Sequence, residues 1–147
     1  MPVTSIIERA ILLVEDQEND ALLIKRALEE SGIKAPIHTV RSGLEAMSYL
    51  SGDAPFQDRS RYPLPLLVLL DIRMPGPDGF EVLRWIRHNP EFSKLPVVML
   101  TSSEAIHDAD AAYRLGATSF FVKPFDFANK RELSEAVKRL VAKGIVP

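Results

Sequence analysis

Three acidic residues stand where two apolar runs end. Asp71 follows Leu66-Leu67-Val68-Leu69-Leu70 and precedes Ile72-Arg73-Met74-Pro75-Gly76-Pro77-Asp78-Gly79. An unbroken run of large aliphatic side chains reads as a strand buried on both faces, the habit of a parallel sheet. A second run, Ile11-Leu12-Leu13-Val14, ends in Glu15-Asp16. Open α/β folds place ligand chemistry at the carboxyl ends of their strands. Acids at adjacent strand ends repel one another, and a hard cation with oxygen ligands resolves that repulsion. Without the cation, at least one of the three should titrate high through like-charge repulsion.

The elements that must position these acids alternate along the chain. Residues 10–15 form the first strand. A helix over 18–31 carries Leu22, Leu23, Ala27 and Leu28, with Asn19 or Asp20 as its cap and Gly32 as its stop. A short strand (36–40) and a helix (42–51) follow, the helix capped by Ser42 with Leu44, Met47 and Leu50 on one face. Gly52, Pro55, Pro63 and Pro65 mark 52–65 as a loop. The acid-tipped strand (66–71) leads to a helix from Gly79 to His88, capped by Asp78. Val97 to Thr101 is a fourth strand, 104–115 a helix ending at Gly116, and Ser119 to Val122 a fifth strand closed by Lys123-Pro124. The last helix, 128–143, is amphipathic through Leu133, Ala136, Val137 and Leu140. Five βα units with right-handed crossovers predict a doubly wound parallel α/β sheet covered on both faces. The strand ends Glu15-Asp16, Asp71, Thr101 and Lys123 then point into one crevice.

Composition narrows the function classes. The chain has 147 residues, 46% hydrophobic, which suits one globular domain. Net charge is −2, from 18 basic and 20 acidic residues, so no basic footprint for nucleic acid is present. Cysteine is absent, which excludes disulfides and thiolate metal sites. No apolar stretch approaches the roughly 20 residues that span a bilayer. Met1 to Ala10 lacks a basic region ahead of an apolar stretch and so does not read as a secretory signal. The expectation is a cytoplasmic protein that binds neither membrane nor nucleic acid.

The chain resembles the receiver domain of two-component response regulators, the CheY-like domain. The resemblance rests on Val14-Glu15-Asp16, on Asp71-x-x-Met74-Pro75-x-x-Asp78-Gly79, on Thr101-Ser102, and on Gly116-Ala117 leading to Lys123-Pro124-Phe125. It runs over residues 10–143, within a single domain of 1–147. It implies a flavodoxin-like sheet of order 2-1-3-4-5. It also implies that Asp71 accepts a phosphoryl group from a sensor histidine kinase, a carboxylate acting as nucleophile. Glu15, Asp16, Asp71 and the backbone carbonyl of Arg73 would hold Mg²⁺ or Mn²⁺. Lys123 would neutralise one phosphoryl oxygen and Thr101 would hydrogen-bond another. Phe120, three residues before the lysine, would switch by packing together with Thr101. Pro124 would follow a cis peptide.

Arg73 and Ser103 depart from the commonest family pattern. Both flank the path of the hydrolytic water in the family, and the Arg73 guanidinium is expected to reach the phosphoryl oxygens. The loop at 52–65 and the stretch from Val14 through Leu28 are similar to single-domain regulators paired with bacteriophytochrome-type kinases. The resemblance therefore implies as partners a sensor histidine kinase, of the bacteriophytochrome type in that subgroup, or a histidine phosphotransfer protein, and a downstream protein. It also implies a homodimer through helix four, strand five and helix five, with Phe120 and Phe121 as interface candidates.

Other classes fit less well. A haloacid-dehalogenase-type phosphatase normally carries a second acid two residues after its nucleophile, where Arg73 stands. A degenerate receiver would not retain both acids, Asp71, Thr101 and Lys123. No Gly-x-Gly-x-x-Gly follows the first strand, which counts against a dinucleotide site. His38, His88 and His107 lack metal-ligand spacing. Trp85 with Leu83 and Ile86 reads as core. Lys123, Lys130, Arg131, Lys138 and Arg139 read as the solvated face of the last helix.

Overall fold

The computed structural model describes residues 10–102 and 107–145. Ten elements follow in strict alternation: β1 (Ala10–Val14), α1 (Glu18–Glu30), β2 (Ile37–Val40), α2 (Gly43–Ser51), β3 (Pro65–Asp71), α3 (Gly79–His88), β4 (Val97–Thr101), α4 (Asp108–Arg114), β5 (Ser119–Val122) and α5 (Phe127–Ile145). The strands form one parallel sheet of order β2-β1-β3-β4-β5, the flavodoxin-like order expected. No described helix is long and apolar enough to cross a membrane.

The aliphatic runs serve two cores at once. Side chains alternate across a strand, so Leu12, Val14, Val68, Leu70, Val97 and Met99 face one layer with Ala46, Leu50, Val82, Leu83 and Ile86 of α2 and α3. Ile11, Leu13, Leu67, Leu69, Val98 and Leu100 face the other, with Ile24 and Leu28 of α1 and Leu133 and Val137 of α5. This is why the inner strands read as continuous apolar stretches rather than alternating ones. Register then aligns the strand ends: Val14 pairs with Leu70, Asp71 with Leu100, and Thr101 with Val122.

Local signals set the helix starts. Asp78 Oδ1 accepts from the Glu81 N–H at 3.0 Å and Glu81 Oε1 accepts from the Asp78 N–H at 3.2 Å, a complete capping box. Ser42 caps α2 by accepting from Glu45 N–H. Gly79 is the first residue of α3, as expected. A Cβ there would strike the carbonyl oxygen of Asp71 and the Cα of Ile72, so only glycine lets α3 start directly against β3. Gly116 is a turn residue, with φ +101°.

Several expectations are corrected. The buried stripe of α1 is Ile24, Ala27 and Leu28, whereas Leu22 and Leu23 sit off that stripe and are exposed. In α2 the buried stripe is Gly43, Ala46, Tyr49 and Leu50, which leaves Leu44 63% exposed. Neither Asn19 nor Asp20 caps α1; the N-cap is Gln17, without a side-chain bond. The cis peptide among the described residues is Ala54–Pro55, not Lys123–Pro124. The trans form is the ordinary state of an X-Pro bond, and the Lys123 ammonium reaches the crevice from it. Residues 104–106 of the expected fourth helix, the position Ser103, and the first nine residues lie outside the described residues. The loop at 52–65 is tied down: Arg59 donates to the carbonyls of Tyr49, Leu50 and Tyr62, and Tyr49 Oη donates to Pro63 O at 2.9 Å. Phe56, Tyr62 and Tyr49 pack ring against ring above it.

Candidate functional site

The carboxyl edge of the sheet gathers the expected side chains into one pocket of charge. Glu15 leaves β1, Asp71 ends β3, Thr101 ends β4 and Lys123 leaves β5. All four are buried: Glu15 1%, Asp71 3%, Thr101 0% and Lys123 7% exposed. One carboxylate oxygen from each of Glu15, Asp16 and Asp71 lies within 4.8 Å of the others, a spacing that a single divalent cation could bridge. The Asp71 carboxylate accepts from the main-chain N–H of Arg73 and lies beside the Glu15 carboxylate.

Lys123 supplies the internal counter-charge. Its Nζ lies 2.9 Å from Glu15 Oε1, 2.8 Å from Asp20 Oδ2 and 3.4 Å from Asp71 Oδ1. One ammonium thus meets three carboxylates, with its hydrogen bond to Asp20. At an effective dielectric of 20, opposite charges about 4 Å apart attract by roughly 4 kcal/mol. These partners hold the ammonium above its ordinary 10.5 despite burial, which acts the other way. Lys123 is therefore not part of the solvated basic face. Lys130 pairs with Glu30 at 2.7 Å and Arg131 with Glu135 at 3.7 Å, which leaves that face salt-bridged rather than simply basic.

Glu15 and Asp71 titrate high, as expected of at least one acid, but chiefly for another reason. Burial comes first and pushes Glu15 from 4.5 to about 7, with the Asp71 charge adding to it. Asp71 is raised as well, again by burial, against the pull of Lys123. Three polar atoms in the crevice, Glu15 Oε1, Asp16 Oδ1 and Thr101 Oγ1, have no hydrogen-bond partner among the described residues. Glu15 Oε1 still has the Lys123 ammonium at 2.9 Å as an ion pair, which leaves Asp16 Oδ1 and Thr101 Oγ1 without either. Buried polar atoms are normally satisfied. An oxygen-seeking cation beside Asp16 and an acceptor oxygen beside Thr101 would satisfy both. The donor set of carboxylates alone, with no sulfur or imidazole, suits a hard ion such as Mg²⁺ or Mn²⁺.

Residues 11–138 match the family described as "Response regulator receiver domain". The chain belongs to this family. Receivers of this family are phosphoacceptors that work with histidine kinases and bind a divalent metal. The receiver is 37% identical to response regulator Rcp1 of Synechocystis sp. over 78% of this chain and 76% of that protein. The crystal structure of the Mn²⁺-bound form of Rcp1 matches with TM-score 0.74 at 33% identity, over 88% of this chain and 91% of that one. The bacteriophytochrome response regulator AtBRR matches with TM-score 0.76 at 36% identity, over 91% and 93%. The phosphorylated cyanobacterial phytochrome response regulator RcpA matches with TM-score 0.74 at 34% identity, over 95% of each chain. The likeness to phytochrome-linked regulators suggested by the loop at 52–65 is thereby shown.

Two residues of the receiver's crevice were not among the expected site residues. Asp20 read as a helix cap; only the fold brings it beside Lys123, 103 residues away. Asp108, in the first turn of α4, reaches Arg73, with Arg73 Nη2 donating to Asp108 Oδ2 at 2.6 Å. No local pattern in the sequence marks either pairing. Phe120 is half-buried against the layer formed with α2 and α3, and Phe121 against the layer formed with α1 and α5. The freely exposed aromatics of this side are Tyr113, Phe125 and Phe127.

Proposed function

We propose that this receiver takes a phosphoryl group onto Asp71 from the phosphohistidine of a sensor kinase or a histidine phosphotransfer protein. A carboxylate oxygen of Asp71 attacks phosphorus. The bond from phosphorus to the imidazole nitrogen breaks, its electron pair stays on that nitrogen, and an acyl phosphate remains on Asp71. Phosphoryl transfer asks the protein mainly for positioning and charge neutralisation. Glu15, Asp16, Asp71 and the Arg73 carbonyl would hold Mg²⁺, which when bound spreads the negative charge of the phosphoryl oxygens. Lys123 neutralises one oxygen as a point charge, and the free hydroxyl of Thr101 donates to another. The observation that carries this reading is the convergence of Glu15, Asp16 and Asp71 oxygens within 4.8 Å beside the unpartnered Thr101 Oγ1.

The output is a population shift. Thr101 ends β4 opposite Val122, and the half-buried Phe120 lies two residues earlier on β5 opposite Met99, so movement of Thr101 and repacking of Phe120 together change the α4-β5-α5 face. That face is read by a downstream protein or by a second copy of the chain, with Tyr113 as the exposed anchor rather than Phe120 or Phe121. The likeness to phytochrome-linked regulators supports a bacteriophytochrome as the kinase, and the cytoplasm as the place of action.

Incubation with acetyl phosphate and Mg²⁺, followed by intact mass, tests the phosphoacceptor. The native chain should gain one phosphoryl group and the Asp71→Asn chain none. An adduct that survives Asp71→Asn, or no adduct on the native chain, would refute it.

A further inference from the structure

Arg73 stands two residues beyond Asp71 and its main-chain N–H already donates to the Asp71 carboxylate. Its guanidinium is engaged elsewhere, on Asp108 at 2.6 Å. The two ends of this pair differ. The Asp108 side chain is 12% exposed and the Arg73 side chain 61%. The acid is the fixed end, and the arginine is an arm free to swing about a root held beside Asp71. The other basic side chain near Asp108 among the described residues is His107, its Nε2 3.8 Å away and its side chain mostly in solvent. The pair spans 35 residues of sequence and ties the loop after β3 to the first turn of α4.

Resting on Asp71 as the phosphoacceptor, we infer that Arg73 is a two-position arm: parked on Asp108 before phosphorylation, it transfers to the phosphoryl oxygens afterwards and releases α4. Charge sets the direction. Asp108 offers one negative charge, whereas a phosphoryl group carries about −1.5 to −2. Its oxygens also suit the planar fork of a guanidinium, which binds phosphate through two parallel bonds. Lys123 does not duplicate this role: shared with Glu15 and Asp20 at 2.9 and 2.8 Å, its ammonium meets one phosphoryl oxygen as a point charge, whereas a guanidinium fork can take two. Departure of the arm leaves Asp108 buried without its partner, an unfavourable state that α4 relieves by shifting. Asp108 is thus a positioning residue: it acts on the acyl phosphate only through Arg73.

Hydrolysis of the acyl phosphate requires a water oxygen to attack phosphorus. The bond to the Asp71 oxygen breaks, its electron pair returns to the carboxylate, and inorganic phosphate leaves. A guanidinium lying on the phosphoryl oxygens screens them and lengthens the lifetime.

The test compares the native chain with Asp108→Asn, Arg73→Gln, the double variant, and Asp108→Glu, which keeps the charge. Each is loaded with acetyl phosphate and Mg²⁺, the donor is removed, and loss of the phosphoryl group is followed by intact mass. Freeing the arm with Asp108→Asn should lengthen the half-life about threefold or more, and Asp108→Glu should stay near native. In the Arg73→Gln background, Asp108→Asn should change nothing. Amide exchange in α4 should rise on phosphorylation of the native chain and already be high in unphosphorylated Arg73→Gln. An Asp108→Asn half-life equal to native, or the same change with and without Arg73, overturns the inference. Failure of the native chain to take up phosphoryl would instead sink the reading of Asp71. The two failures are therefore distinct.

Discussion

Asp20 governs how firmly Lys123 is held before phosphoryl arrives. The ammonium lies closer to Asp20, at 2.8 Å, than to Asp71, at 3.4 Å. Phosphorylation adds negative charge to a site that already holds four acids, and each fixed acid opposes it. Replacing Asp20 by Asn removes one such charge and frees the ammonium for the phosphoryl oxygen. At saturating Mg²⁺ and a fixed acetyl phosphate concentration, Asp20→Asn should reach a several-fold higher phosphorylated fraction than native by intact mass. An equal or lower fraction would mean that Asp20 serves only to orient the lysine. The main acids were legible in the sequence because each terminates an apolar run. Asp20 and Asp108 were not, because a partner far along the chain leaves no periodic trace.

At the scale of elements, the junction of β3 and α3 positions the nucleophile. Asp71 is the last residue of β3, and α3 begins at Gly79, which donates from its N–H to Ile72 O at 2.8 Å. Gly79→Ala forces a Cβ into the backbone at Asp71 and Ile72. Overpacking of that kind costs about 1–3 kcal/mol, and urea denaturation should show it together with slower phosphorylation. Asp78→Ala loses a helix cap worth about 1 kcal/mol but leaves the backbone contact intact. Its stability should fall while its phosphorylation rate stays near native. If Gly79→Ala is as stable as native, the close approach is not what holds the junction. The Asp78 cap was legible because Asp followed by Glu three residues on is a local pattern. The true stripes of α1 and α2 were not, since Leu22, Leu23 and Leu44 are apolar yet face outward, and only packing decides which face a helix buries.

The buried acids couple the stability of the whole molecule to pH and to metal. Glu15 is pushed from 4.5 to about 7, mainly by burial, and Asp71 is raised in the same sense. Between those values the folded chain keeps a proton that the unfolded chain has released. The resulting stability is full below about pH 4.5 and is lost as pH rises through about 7. The metal-free chain should therefore melt several degrees lower at pH 8 than at pH 5.5. Mg²⁺ binds the ionised carboxylates, so its stabilising effect should grow over the same window and vanish with chelator. Thermal melts in chelator and in Mg²⁺ would check both, and a melting temperature that rises with pH in chelator would contradict the burial of Glu15 and Asp71. The sequence by itself determined the alternation of strands and helices, the two-faced burial of the inner strands, and the acids, hydroxyl and lysine at the strand ends. These are written in local runs, spacings and caps. Only the tertiary structure decided which charges share the ammonium and that Arg73 rests on α4. Those outcomes depend on distances across 35 and 103 residues of chain, set by crossovers and packing that no local pattern encodes.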